Sequence, residues 1–299
     1  MKLIKPSVEY IPQDNSVDGM YRHIERCGRI CYKSEDKISE YSHNDFVGRM
    51  IKSGHTAMLE HGTVYLKIPG QGLYNQIQKH TYQDYVNNKY SKVCMSYEKN
   101  EETDLIGISY ANITTNLRVL VENDWLDDLK YICEPTEYHE KRYTFRVTTS
   151  IGVTREFNRH RTMSIAEQST RYCNYSKDKF GGEITFCLPR WIDNLKYITI
   201  TPEIDTFLKS CEIAEHNYLE LINKNWKPQQ AREVLPLCTA TEAIYTAFTS
   251  DWQHFFELRY FGTTGAPHPN MLELSELIGK ELIKHKLWNE IYKQNIEKC

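Results

Sequence analysis

The chain has 299 residues, 40% of them hydrophobic and 12% aromatic, and a formal net charge of −3. That is enough apolar material for a sizeable core in one large domain or two small ones, and the slightly acidic balance argues against long-range attraction to nucleic acid. Nine cysteines are scattered without a CxxC pair or metal-finger spacing, no stretch approaches a membrane span, and Met1–Pro12 lacks the apolar run of a signal peptide; the expectation is a soluble cytoplasmic protein with free thiols, no metal, and neither a membrane nor a nucleic-acid partner.

Leu3 to Ile11 reads as a short first strand interrupted by Pro6. Met20, Ile24, Cys27 and Cys31 then recur at helical spacing, and Arg29-Ile30-Cys31-Tyr32 ends that helix. Phe46, Val47, Met50 and Ile51 give a second amphipathic helix, with Ser53-Gly54 as its stop because glycine accepts the left-handed cap conformation. Thr63 to Ile68 alternates as a strand closed by Pro69-Gly70. Residues 71 to about 141 are rich in tyrosine and charge, with an acidic turn at Glu101-Glu102 and a helical run expected from Asn112 to Cys133.

Tyr143, Phe145, Val147 and Thr149 alternate against Thr144, Arg146, Thr148 and Ser150, which predicts a strand. Gly152 turns the chain into a short helix with Val153 and Phe157 on one face and Arg155 and Arg159 a turn apart on another. Thr201-Pro202-Glu203 is a strong helix start, with a hydroxyl cap, proline at the first position and an acid at the positive end. Its buried stripe runs through Ile204, Phe207, Cys211, Tyr218 and Ile222 to a stop at Lys227-Pro228. A short helix from Gln229 to Leu235 carries Arg232. Ala243 to Thr249 has strand character. Ser250 with Gln253 reads as a capping box opening a helix to Arg259 that stops near Gly262. A last helix is expected from Met271 to about Ile296.

The segment Arg159 to Tyr172, RHRTMSIAEQSTRY, breaks this regular patterning. Met163 and Ile165 are too few to give a helix a buried face, so neighbours must hold the segment with its polar side chains aimed at something. Guanidinium forks suit phosphate and carboxylate oxygens. The implied ligand is a small anion, at a site that also uses Glu167. A solvated basic face is the bland alternative, but it has no use for Glu167, Gln168 and Ser169 followed by Arg171-Tyr172.

Arg159-His160-Arg161, seven residues, then Ser169 resembles the signature of the flavin-dependent thymidylate synthases, and the agreement extends through Ser164, Ile165, Glu167, Arg171 and Tyr172. Weaker likenesses lie at Arg29–Tyr32, at His55–His61, where Glu60 and His61 match, and at Ala231–Pro236, a second arginine element. The resemblance implies an α+β fold: one domain over 1–299, a central antiparallel sheet flanked by helices, and an inserted helical segment at about 71–141. It implies a homotetramer with sites between subunits. It also implies methylation of dUMP to dTMP, with methylenetetrahydrofolate giving the carbon, FAD the hydride, and NADPH reducing the flavin. For dUMP it nominates Glu156, Arg159, Glu167, Gln168, Ser169, Arg171, Arg232 and Arg259; for FAD it nominates Glu60, Arg159, His160, Arg161, Glu167 and His254. No cysteine stands in the Pro-Cys-His setting of the folate-only enzymes, so Arg259 is the catalytic candidate, stabilising charge that develops on the pyrimidine. Departures from the pattern are Glu156 for glutamine, Ala166 for asparagine, and Phe248, Ser250 and His254 where asparagine, arginine and asparagine are common. With the long insert they leave open an enzyme making another 5-substituted pyrimidine nucleotide; the arginine cluster alone would also suit a non-enzymatic nucleotide- or RNA-binding protein, against which the acidic balance argues.

Overall fold

A computed structural model describes residues 1–70, 80–99, 106–192 and 200–293. The expected first strand is two: β1 (Lys2–Ile4) pairs in parallel with a late strand, and β2 (Ser7–Tyr10) joins the central sheet. Pro6 separates them, having no N–H to offer a ladder. Helix α1 (Val17–Arg29) opens where the Ser16 side chain accepts a hydrogen bond from the Gly19 N–H. Helix α2 (Ser42–Ser53) closes at Gly54 with φ 70°, the left-handed stop expected there. A 3-10 turn, Thr56–His61, leads into β3 (Thr63–Pro69).

The next segment is more strand than helix. After α3 (Tyr82–Val86) come β4 (Lys92–Lys99) and β5 (Ile106–Asn116), and with β3 they form an antiparallel sheet in the order β3-β5-β4. The helical run expected from Asn112 begins only at α4 (Leu117–Glu122), followed by a 3-10 turn at Leu126–Tyr131. Asn112 to Asn116 finish β5 instead, because Ala111, Ile113, Leu66 and Val64 bury together between the two strands. The acidic turn at Glu101-Glu102 lies outside the described residues.

The chain then builds its central layer. β6 (Arg142–Ser150) runs into α5 (Ile151–Phe157), β7 (Ser164–Glu167) and β8 (Thr185–Cys187). Helix α6 (Pro202–Asn223) starts on the expected Thr201 cap, and the short α7 (Pro228–Ala231) passes into a 3-10 turn at Arg232–Val234. β9 (Ala240–Phe248), α8 (Thr249–Arg259), α9 (Pro269–Lys284) and α10 (Trp288–Lys293) complete the fold. The central sheet has the order β2-β6-β9-β7 and is antiparallel throughout. The architecture is α+β, with this sheet flanked by helices.

Strand periodicity of two sends alternate residues to opposite faces. One face of β6 and β9 carries Phe145, Val147, Ala243 and Tyr245, which pack against Val153, Phe157, Trp252 and Phe255 of α5 and α8. Phe157 stacks on Tyr245 with centroids 3.7 Å apart, and truncating such a buried ring costs about 3–5 kcal/mol. The opposite face carries Ile244 and Ala166 against Cys27 and Ile30, and beside them a buried polar chain. His23 Nε2 lies 3.1 Å from Thr144 Oγ1, which lies 2.8 Å from Thr246 Oγ1, itself 2.8 Å from His61 Nδ1.

Two further helix boundaries differ from expectation. Ser250 and Gln253 form no capping box: α8 begins at Thr249, and the Ser250 N–H donates to the Glu140 carboxylate at 2.9 Å. A carboxylate delivered by tertiary structure satisfies the free amide that a local hydroxyl was expected to take. The last helix is interrupted. It breaks after Lys284, Lys286 takes φ 61°, and α10 restarts at Trp288; the expected end near Ile296 lies outside the described residues. Seven cysteines, Cys27, Cys31, Cys133, Cys173, Cys187, Cys211 and Cys238, are free thiols as expected, whereas Cys94 is disulfide-bonded. No described helix is long and apolar enough to cross a membrane.

Candidate active site

The segment from Arg159 to Tyr172 is held by neighbours, and β7 is the handle. Ser164, Ile165, Ala166 and Glu167 pair with Thr246, Tyr245, Ile244 and Ala243 of β9. The alternation buries Ser164 and Ala166 on the α1 side and turns Ile165 and Glu167 toward α5. Before β7 the chain is pinned to α8 by Thr162, whose hydroxyl donates to Asp251 at 2.8 Å. After it, the Ser169 N–H donates to the Cys31 carbonyl at 2.9 Å. The tail of the signature therefore lies on the 3-10 turn Ile30–Tyr32, where Tyr172 meets Tyr32 at 5.2 Å.

Arg259, at the C-terminal end of α8, is brought to the Arg-His-Arg tripeptide. Its Nε donates to His160 Nε2 at 3.2 Å and its Nη2 to the Glu156 carbonyl at 3.2 Å, while Nη1 stands 3.6 Å from the Glu156 carboxylate. The Arg259 side chain is 21% exposed, so it is fixed but reachable. His160 is 7% exposed, between Phe157 and Phe255. Burial, then Arg259, then His254 push its pKa down to about 4. It is thus a neutral imidazole accepting at Nε2 with its proton on Nδ1, a tautomer that orients Arg259 without repelling it.

Among the described residues, Glu167 meets no arginine. Its carboxylate accepts from Thr154 Oγ1 at 2.8 Å, from Thr241 Oγ1 at 3.3 Å and from Asn158 Nδ2 at 3.5 Å, and Asn158 also accepts from Tyr245 Oη at 2.9 Å. Arg232 reaches the signature through Thr170, donating from Nη1 at 2.9 Å, so the second arginine element does meet the first. Gln168 is buried, 3.5 Å from Tyr175 Oη. The Ser169 hydroxyl accepts from the Arg171 N–H at 3.2 Å. Arg159, Arg161 and Arg171 are exposed, and among the described residues no ion pair or side-chain hydrogen bond engages them. Arg171 lies over the Tyr172 ring at 5.2 Å.

Glu60 stands apart from this group, ion-paired to Arg118 of α4. His254 is 62% exposed, its ring 6.0 Å from His160. Cavities of about 550 Å³ and 490 Å³ flank the segment, the first bordered by Glu156 and the second by Gln168. Neither is lined by Arg159, Arg161, Arg171, Arg232 or Arg259. Among the described residues no group of three His, Cys, Asp or Glu side chains is placed to hold a metal ion.

Sequence reading missed Thr154, Asn158 and Thr241, which hold Glu167. Thr154 and Asn158 stand four residues apart at α5, a spacing that puts both on one face, so part of that signal was available. It also missed Arg142, which is buried with its guanidinium donating to the Glu60 carbonyl, Thr63 Oγ1 and Ser164 Oγ at 3.1, 3.2 and 3.0 Å. Extending the strand alternation one residue before Tyr143 would have placed Arg142 on the same face as Thr144.

Two solved structures of a UMP/dUMP methylase, PolB from Streptomyces cacaoi, bound with 5-Br dUMP and with 5-Br UMP, are similar to this chain. Each shows 15% sequence identity and a TM-score of 0.45 over 98% of this chain and 96% of the other. The family described as thymidylate synthase complementing protein matches residues 95–285, a span that takes in the whole stretch from Arg142 to Arg259. With the signature, both arginine elements and α8 inside that span, the chain belongs to the thymidylate synthase complementing protein family.

Proposed function

We propose that the protein methylates dUMP to dTMP, with methylenetetrahydrofolate as carbon donor, FAD as bound flavin and NADPH as its reductant. The observation that carries this reading is the cluster of Arg259, His160 and Glu156. A largely shielded guanidinium held by a neutral imidazole is a preorganised cation, the device that stabilises negative charge as it develops on a pyrimidine ring. It needs no thiol. The nearest free cysteine in sequence, Cys173, has its pKa raised by burial, which suits a packing role.

The donor set fits a flavin dinucleotide. Arg159 and Arg161 present open guanidinium groups, and exposed His254 lies beside buried His160. These three would hold FAD, whose chemistry when bound is delivery of the hydride. In this reading Glu60 and His160 act through the residues they position. Arg171, Ser169 and Arg232 bind the nucleotide phosphate, which carries roughly −1.5 to −2 charges near neutrality. Glu167 fixes α5 against β7, and Gln168 fixes the tail of the signature. The open arginines also support a homotetramer whose sites lie between subunits, each chain being one domain over 1–299 with 71–141 as an insertion, in the cytoplasm.

The deciding experiment is dUMP-dependent oxidation of NADPH, with and without methylenetetrahydrofolate, with the product identified by mass. A yellow protein that bleaches with NADPH and yields dTMP supports the reading. A colourless protein that cannot take up FAD overturns it. One observation favours a second reading. Glu156 places a carboxylate against Arg259 where the family usually has glutamine, which suits a base pocket altered for a different 5-substituted product. A product mass above that of dTMP would select it.

A further inference from the structure

We propose that Cys211 and Cys238 form a peroxide-responsive dithiol whose disulfide clamps the segment bearing Arg232. The two sulfurs stand 3.7 Å apart, one on α6 and the other just before β9. No other pair of free cysteine sulfurs among the described residues is in contact at this distance. Closing to a bond brings them to about 2.05 Å, with the side chains turning to the disulfide dihedral.

The two thiols are unequal in a way that sets the order of events. Cys211 is 1% exposed. Cys238 is half-buried and borders the cavity of about 550 Å³, so a small oxidant reaches Cys238 first. The hydrogen bond between them raises Cys211 and lowers Cys238. Cys238 is therefore the nucleophile and Cys211 the resolving thiol. The Cys238 thiolate attacks one oxygen of a hydroperoxide, giving a sulfenic acid and releasing hydroxide or alkoxide. The Cys211 thiol then attacks the Cys238 sulfur and water leaves. The two thiols lose two electrons and two protons in all, and the peroxide takes up both electrons.

The consequence follows from what the loop holds. The segment between the two cysteines comprises the second half of α6, then α7 and the turn carrying Arg232, and Arg232 bonds Thr170 of the signature at 2.9 Å. On the other side, Cys238 is fixed by its neighbours. Its carbonyl accepts from the Cys187 N–H at 2.8 Å, and the Leu237 and Thr239 carbonyls accept from Gly152 and Ile151 at 2.9 and 3.0 Å. With that end anchored to β8 and α5, the crosslink draws α6 inward and restrains the Arg232 turn.

The test treats the full chain with hydrogen peroxide, alkylates it, digests it and maps cysteines by mass. The expected product is a Cys211–Cys238 linked peptide pair lighter by two hydrogens and restored by dithiothreitol. Amide exchange over residues 228–239 should slow roughly threefold or more on oxidation. In Cys211→Ser the link is lost and dimedone traps Cys238; in Cys238→Ser neither occurs. Oxidation reaching Cys31, Cys133 or Cys173 before Cys238, or unchanged exchange after the link has formed, would overturn the proposal.

Discussion

Three buried histidines should make this protein lose stability in mild acid. Among the described residues none of the three is ion-paired to a carboxylate. Burial, helped by Arg26 and Arg142, holds His23 at about 3; burial, helped by His23 and Arg142, holds His61 at about 3; burial, then Arg259 and His254, holds His160 at about 4. The ordinary value is 6.5. A histidine depressed in the native state imposes no penalty above pH 6.5. Below that the unfolded chain takes protons that the folded chain refuses, so stability falls with pH until the folded pKa is reached. At pH 5.5 each group costs about 1.4 kcal/mol, and three cost about 4 kcal/mol, a large part of a total of about 5–15 kcal/mol. Urea unfolding followed by tryptophan fluorescence should show this directly. With a slope of about 3 kcal/mol/M, the midpoint drops by about 1.3 M between pH 7.5 and 5.5. Glu242, raised by burial but lowered further by Lys33 and Arg146, sits below the usual carboxylate range and acts at lower pH. His160→Gln keeps an acceptor for Arg259 but does not titrate, so about a third of the drop should vanish. A midpoint that stays flat from pH 7.5 to 5.5 would refute the argument.

The remaining predictions address the site. Arg259→Ala should leave dUMP affinity within about tenfold while turnover falls by about 10²–10³; equal turnover in mutant and parent removes Arg259 from the chemistry. Glu156→Gln removes the negative charge 3.6 Å from Arg259 Nη1 and should hold or raise turnover, by up to about tenfold; steady-state rates showing a hundredfold loss would give Glu156 a direct role. Arg171→Ala should weaken dUMP binding more than FAD binding, and titrations in the reverse order mean the two ligands are misplaced. Arg142→Ala leaves Thr63 Oγ1 without its donor and the Glu60 carbonyl and Ser164 hydroxyl with only each other, at 3.3 Å, and should cost about 3 kcal/mol; a thermal midpoint unchanged from the parent would show that those groups find other partners.

What was legible in the sequence is what adjacent residues decide. Phe145 and Val147 against Thr144 and Arg146 announce a strand with one apolar face, and the structure buries that face under α8 and α9. Thr201-Pro202-Glu203 carries its whole start signal within three residues, and α6 begins there with Thr201 accepting from the Ile204 N–H. Ser250-Gln253 has an equally good local signal and fails, because Glu140 arrives from 110 residues away in sequence and takes the amide first. The strand end at Asn112–Asn116 was misjudged for a related reason: Ile113, Thr114 and Thr115 are β-branched and favour a strand, but the partner that fixes them there, β3, lies far back in the chain.

The candidate site divides along the same line, and the division bears on mechanism. The tripeptide Arg159-His160-Arg161 was readable as three cationic or titratable side chains, but not as two exposed arginines around one buried, neutral imidazole. That difference arises only because α8 brings Phe255 and Arg259 against His160. A cationic His160 would sit 3.2 Å from a guanidinium nitrogen and repel the group it is meant to aim. Burial removes that charge and leaves an acceptor, so the positive potential concentrates on Arg259. The exposed arginines on either side are then free for ligand oxygens. In the proposed reaction the middle residue of the tripeptide serves as the mount of the catalytic cation, and the flanking pair as its electrostatic frame.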